Sequence, residues 1–261
     1  MLHQLVEYLD YRSSGGIVLT DRVALVTGGS RGIGRGIAER LGAEGARVVV
    51  NYRTDADAAA KVVATIDNAG GQAVAVQADV ADPAQVVALF DAVESAFGGL
   101  DILVGNAGIA RFAPLAEASD EDFERVFATN TRSTFVALRE AAKRLRDGGR
   151  IVVISSGATV TARPNGGVYA ASKAAAEQLV RAAAKELGPR GITANSVLPG
   201  ATRSDALEAG MDAERLAATT AQTPLGRLGE PSDIASIVAF LASPDGGWIT
   251  GQTIHAGGGL F

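Results

Sequence analysis

The chain has 261 residues, 47% hydrophobic and 20% charged with 32 glycines, enough apolar material for one sizeable α/β domain. A formal net charge of −5 without a Lys/Arg-rich run argues against a nucleic-acid or anionic-membrane partner, and the absence of cysteine excludes disulfides, thiolate nucleophiles and Cys-ligated metals. With only His3 and His255 as histidines no metal site is expected, no apolar run nears the roughly 20 residues that span a bilayer, and the acidic start "MLHQLVEYLDYR" is unlike a signal peptide, so the expected location is the cytoplasm. Residues 1–20, ending in the flexible-looking "SSGGIVL", read as an extension, and residues 21–261 as one domain. From Arg22 onward, Val/Ile-rich runs predict seven strands: "RVALVTG", "ARVVVNY", "QAVAVQADV", "LDILVGNAG", "GRIVVISS", "ITANSVLPG" and "GQTIHAGG". Between them the composition predicts helices over Ile33 to Ala43, Ala56 to Ala69, Pro83 to Phe97, Asp120 to Arg146 and Val168 to Leu187. This βα alternation implies an α/β fold, a doubly wound parallel sheet with helices on both faces, in which ligands bind outside the carboxyl ends of the strands.

The motifs sit at those ends. "TGGSRGIG" follows the first strand, and Gly28, Gly32 and Gly34 open the first helix. Glycines there let the backbone approach a pyrophosphate whose charge meets the free N–H groups of the helix N-terminus, although many such turns use Gly for geometry alone. The second strand ends in "VVVNYR", with Tyr52 and Arg53 where an acidic residue would hold the ribose 2′-hydroxyl of NAD. Arg53 together with Arg31 suits a 2′-phosphate and favours NADP(H) over NAD(H), the bland alternative being a solvated loop arginine. Asp79 and Val80 end the third strand and Asn106, Ala107 and Gly108 the fourth, as cofactor rim or as simple turns. The fifth runs into Ser155 and Ser156, and Tyr169 and Lys173 follow four residues apart, on one face of a helix. A cation near a phenol favours the phenolate and makes the pair an acid–base device, unless both are merely solvated.

In order and spacing, "TGGSRGIG", "DV", "NAG", a serine ahead of "YAASK" and a following "LPG" resemble the short-chain dehydrogenase/reductases, over residues 22–259. The resemblance implies a single-domain Rossmann-type fold and a catalytic tetrad of Asn130, Ser156, Tyr169 and Lys173. It also implies a cofactor site at Thr27, Gly28, Ser30, Arg31, Gly32, Ile33, Gly34, Tyr52, Arg53, Asp79, Val80, Asn106, Ala107, Gly108, Tyr169, Lys173, Pro199 and Gly200. Tyr169 is then the proton donor, its pKa lowered by Lys173, which also holds the nicotinamide ribose; Ser156 orients the substrate oxygen, and Asn130 anchors a proton-relaying water. The branch most resembled is the 3-oxoacyl-carrier-protein reductases, implying NADPH-dependent ketone reduction. Oxidation of a sugar, polyol or other secondary alcohol is the alternative, and a cofactor-sensing module the reading from another class. An enoyl reductase is disfavoured by the close Tyr–Lys spacing. Two departures stand out, Gly105 in "GNAG" and Gly257 in "AGGG". Specificity is expected in the loop 201–223, with Ala206, Leu207 and Met211, facing residues 157–167. A homotetramer or dimer is expected, assembled through the helices after the fourth and fifth strands and the C-terminal segment.

Overall fold

The computed structural model describes residues 17–204, 207 and 212–261; residues 1–16, and with them most of the expected extension, lie outside the described residues. The seven apolar runs form β1 (Val23–Val26), β2 (Arg47–Tyr52), β3 (Gln72–Gln77), β4 (Leu100–Gly105), β5 (Leu145–Ile154), β6 (Thr193–Pro199) and β7 (Thr253–Ala256). All pair in parallel, in the order β3-β2-β1-β4-β5-β6-β7. Parallel strands covered on both faces read as continuous apolar runs rather than alternating ones, and β1, "VALV", is buried at every position.

The connecting helices are α1 (Gly32–Ala43), α2 (Ala56–Asn68), α3 (Pro83–Phe97), α4 (Asp120–Phe127), α5 (Ser133–Arg144), α6 (Ala158–Thr161), α7 (Gly167–Leu187), α8 (Ala213–Gln222) and α9 (Pro231–Ala242). Side-chain oxygens cap their starts: Asp55 accepts from Ala58 N, Asp82 from Ala84 N ahead of Pro83, and Ser119 from Asp122 N. Gly98, left-handed at φ 74°, ends α3. Val23 and Leu25 face α3, α5 and α7, whereas Ala24 and Val26 face α1, α2 and α9. Each fully buried Leu or Ile in these layers contributes about 1.5–3 kcal/mol.

The expected helix from Asp120 to Arg146 is divided. A π-helical turn, Ala128–Arg132, separates α4 from α5, and α5 ends at Arg144 because β5 begins at Leu145. Helix α9 was not among the expected helices, yet Pro231 starts it and the Asp233 carboxylate accepts the Glu230 N–H at 2.7 Å. It packs on α1 where Gly36 leaves room: a Cβ there would lie 2.9 Å from Pro231 Cβ. The packed domain also begins earlier than residue 21, since Leu19 is 1% exposed and its N–H donates to Glu44 O at 2.7 Å. Among the described residues no helix is long and apolar enough to cross a membrane, and no cluster of His, Cys, Asp or Glu could hold a metal.

Candidate functional site

The strand order reverses between β2-β1 and β4-β5, and a crevice opens at the carboxyl ends where the connections diverge. Gly28 (φ 61°) and Gly32 (φ 54°) occupy the left-handed region there, which L side chains adopt only with strain. Gly34 is required by space, because a Cβ would meet Gly28 O at 2.2 Å and Asn106 Nδ2 at 2.4 Å. Three side chains hold the turn from behind. Asn106 Nδ2 donates to Thr27 O (2.9 Å) and Gly28 O (3.0 Å), while Thr27 Oγ1 accepts from Asn106 N (3.0 Å) and Ala107 N (3.1 Å). Asn51, 1% exposed, accepts the Gly28 N–H at 3.1 Å and donates to Val76 O and Ala78 O.

Asn51 is absent from the sequence-derived site, although a polar residue inside the apolar run "VVVNY" is a readable signal: a buried amide must find partners. Its backbone also ties together the two segments that carry arginines. Gly29 N donates to Asn51 O at 2.8 Å, so the segments carrying Arg31 and Arg53 run side by side, both side chains exposed. Among the described residues neither guanidinium has a carboxylate partner. The first turn of α1 has no acidic residue and no side-chain cap, leaving its N–H groups available to an anion. These features fit a dinucleotide carrying an extra phosphate. Tyr52 is half-buried beside Arg53, Ser30 is buried in the turn, and Ile33 opens toward the cavity described below. Asp79 caps its own turn, accepting the Ala81 N–H at 2.9 Å, and Val80 is buried in the core.

The second cluster lies beside the first. The π turn widens the chain at Asn130, whose amide is fully engaged: Oδ1 accepts from Ile109 N, and Nδ2 donates to Ile109 O and Ser172 Oγ, each at 2.9 Å. Gly108 lies between Asn130 and Lys173, since a Cβ there would be 3.0 Å from Lys173 Nζ and 3.1 Å from Asn130 Oδ1. The Lys173 ammonium is buried and donates to Ile154 O at 2.9 Å. Burial pushes it down to about 8, opposed by the Glu177 carboxylate. One turn back, burial raises the Tyr169 phenol above its ordinary value, and its hydrogen bond with Ser156 acts in the lowering direction. The expected lowering of Tyr169 by Lys173 is not found: Lys173 donates to the Ile154 carbonyl, and the polar neighbour of the phenol is Ser156. The two serines also separate. Ser155 Oγ donates to buried Glu177 Oε1 at 2.6 Å, whereas Ser156 turns toward the phenol. Glu177 is a second residue missed in the sequence, visible only as an acid on the face of α7 one turn beyond Lys173.

Ser156 and Tyr169 open onto a cavity of about 800 Å³. Leu207, Arg215 and Gln222 line it from the loop 201–223, Arg163 and Asn165 from the loop before α7, and Pro199 and Gly200 border it at the end of β6; Ala206 and Met211 lie outside the described residues. Two aromatic residues complete it that were not in the expected site, Phe112 after β4 and Phe261 beyond β7. The Phe112 ring meets Tyr169 edge-on, with centroids 5.7 Å apart. Apart from Arg163 and Arg215, no charged side chain among the described residues lines the cavity.

Fold, glycine turn and the Ser–Tyr–Lys cluster together define a dinucleotide-dependent oxidoreductase architecture, and the relatives narrow it. Residues 28–261 match the family model adh_short_C2, described as enoyl-(acyl carrier protein) reductase. A chloroplastic NADPH-dependent aldehyde reductase-like protein of Arabidopsis thaliana is 44% identical, covering 92% of this chain and 94% of its own length. A dehydrogenase/reductase of Sinorhizobium meliloti superposes with a TM-score of 0.90 at 45% identity, covering 93% and 96% of the two chains. A short-chain dehydrogenase of Burkholderia cenocepacia, solved in complex with NADP, superposes with a TM-score of 0.88 at 43% identity, covering 93% and 98%. The chain belongs to the short-chain dehydrogenase/reductase family and is an oxidoreductase.

Proposed function

We propose that this protein reduces a ketone to a secondary alcohol with NADPH, the substrate being a 3-oxoacyl thioester or another small carbonyl compound. The observation that carries this reading is the Ser156–Tyr169 pair on the cavity wall, with buried Lys173 one turn behind the phenol. NADPH, when bound, supplies the hydride that the carbonyl carbon accepts. Ser156 hydrogen-bonds the carbonyl oxygen and holds it against the phenol. Tyr169, a phenol neutral at physiological pH whose pKa burial raises further, gives its proton to that oxygen as negative charge develops on it. For the phenolate left behind to be stabilised by the ammonium of Lys173, which is cationic below about pH 8, Lys173 has to turn from the Ile154 carbonyl toward Tyr169 during the reaction. Asn130 acts through position: both its N–H donors are spent on Ile109 and Ser172, so it fixes the loop carrying Gly108 against α7. A relay water at this residue would have to be held by its oxygens. Reduction at C=O, rather than at the C=C bond named in the family model's description, is supported by the one-turn spacing of Tyr169 and Lys173.

Preference for NADP(H) over NAD(H) rests on the adjacent segments of Arg31 and Arg53, on the missing acid after β2, and on the NADP and NADPH in the names of two relatives. A charged hydrogen bond contributes about 1.5–3 kcal/mol. Arg53→Ala therefore raises the KM for NADPH about ten- to a hundredfold and leaves that for NADH nearly unchanged; equal effects on both would remove the arginines from the argument.

We also propose a homo-oligomer working in the cytoplasm. Trp248, 99% exposed in the single chain, Phe240 (38%) and Phe135 on α5 (47%) place large apolar side chains on the C-terminal segment and on the helix following β4.

The deciding experiment follows oxidation of NADPH and NADH with 3-oxoacyl thioesters, diketones and keto sugars, beside the Tyr169→Phe protein. Expected is NADPH oxidation with at least one ketone, lowered about 10²–10⁴-fold by Tyr169→Phe with NADPH affinity retained. Reduction of NADP⁺ by a polyol, with no ketone consumed, would replace the reading by alcohol oxidation; tight cofactor binding without turnover would leave a sensing module.

A further inference from the structure

Phe261 packs against two glycines, Gly157 and Gly257, with Gly200 against the backbone of Gly257, and none of the three is demanded by the backbone. Gly157, Gly200 and Gly257 are absent from the positive-φ positions, so any residue could adopt their conformation. What excludes a side chain is the space above them. A Cβ at Gly157 would lie 2.1 Å from Phe261 Cε1, and one at Gly257 would lie 2.5 Å from the same atom. A Cβ at Gly200 would be 2.9 Å from Gly257 Cα. The three glycines are tied across three strand ends: Gly157 N donates to Pro199 O and Gly200 N to Ala256 O, both at 3.0 Å. Gly258 and Gly259, left-handed at φ 62° and 88°, turn the chain back over them, and His255 meets the edge of the ring with centroids 5.4 Å apart. The Gly257 departure noted in the sequence thereby has a steric reason, since an acidic side chain there would occupy the place of the ring.

The ring is half-buried and borders the cavity, and Gly157 directly follows Ser156. The Cε1–Cζ edge of the Phe261 ring lies over Gly157 and Gly257, and the ring borders the cavity within one residue of the hydroxyl that orients the carbonyl. We infer that Phe261 is a specificity-determining residue: its ring stacks on a flat, unsaturated ring attached to the carbonyl, so of the small carbonyl compounds proposed above the aryl and fused-ring ketones are favoured over open-chain ones, 3-oxoacyl thioesters included. This deepens the reductase reading and rests on it. Leu225 N donates to Gly258 O at 3.2 Å, so the position of the ring is coupled to the segment following α8, part of the opposite wall.

Two measurements test this. The first compares kcat/KM for 1-tetralone and 2-decanone, which have the same carbon number, in wild type, Phe261→Ala, Gly257→Ala and the double variant, with circular dichroism to verify folding. Phe261→Ala is expected to lower the tetralone-to-decanone ratio about tenfold. Gly257→Ala, by displacing the ring, lowers it too, and adding Phe261→Ala to Gly257→Ala produces little further loss, the non-additivity of two residues in contact. A ratio unmoved by Phe261→Ala, or additive losses, overturns the assignment. The second is calorimetric affinity for 2-naphthol with NADP⁺ present, which needs no turnover. It weakens about tenfold in Phe261→Ala if the ring stacks and is unchanged if it does not. Should wild type reduce neither ketone while 2-naphthol binding still depends on Phe261, the reductase reading falls and the aromatic subsite stands.

Discussion

Lys173 is a cation placed where a cation is costly. Its nearest compensation is one carbonyl and the Glu177 carboxylate, itself held by Ser155 and, at 3.6 Å, by Arg181. With its pKa depressed to about 8, Lys173 is charged below that pH and loses its proton as pH rises through it. Since kcat/KM reports the free enzyme, ketone reduction is expected to be level at neutral pH and to fall above about pH 8. A profile level to pH 9.5 would contradict the role of the ammonium. Glu177→Gln removes the charge that supports the cation and moves this fall to lower pH. Asn51 acts on stability as well as on the site, for truncation leaves the Gly28 N–H and two strand carbonyls without their buried partner. Asn51→Ala is expected to cost about 1–3 kcal/mol, read from urea unfolding, and to weaken NADPH binding through the loosened turn.

Between β1 and α1, the close approach of two elements leaves no room for one methyl group. Gly34→Ala inserts a carbon 2.2 Å from Gly28 O, and because the clash is with backbone it can be relieved only by moving α1 away from the turn. NADPH affinity measured by calorimetry should fall at least tenfold while the far-ultraviolet dichroism stays that of the parent; unchanged affinity would show that the turn has slack the geometry does not contain. The π turn before α5 has comparable standing. Its irregularity turns Asn130 inward toward Ile109 and Ser172, and regular α-helical spacing, the natural reading of "DEDFERVFATNTRSTFVALREAAKR", does not foresee it. Helix α9 is not among the helices expected from composition, although its 12 residues, opening on Glu230-Pro231-Ser232-Asp233, have helical length and a helix-start signal.

At the scale of the whole molecule, Trp248 is both the most exposed large apolar side chain among the described residues and the single tryptophan of the sequence. If copies assemble through the C-terminal segment, its fluorescence emission shifts to the red on dilution, and Trp248→Glu yields a smaller species by light scattering. Emission independent of concentration, with a monomeric mass throughout, would remove this surface from the assembly. The parallel sheet, the glycine turn and the Tyr169–Lys173 spacing were legible in the sequence because each is encoded locally: strand runs by their apolar continuity, the turn by residues adjacent in the chain, the pair by one helical turn. Asn51 against Gly28, Glu177 against Ser155, the turn of Lys173 toward Ile154, and Phe261 seated on Gly157 and Gly257 depend on strands and loops that meet only after the sheet has assembled. Apart from Gly257, four residues before Phe261, their partners are 19 to 104 positions away in the chain, and no local pattern specifies which buried polar group or glycine each will meet. Sequence alone therefore determined the fold class and pointed to the residues proposed to carry the chemistry. The protonation of Lys173, the support of the turn and the shape of the substrate wall were decided by tertiary contacts.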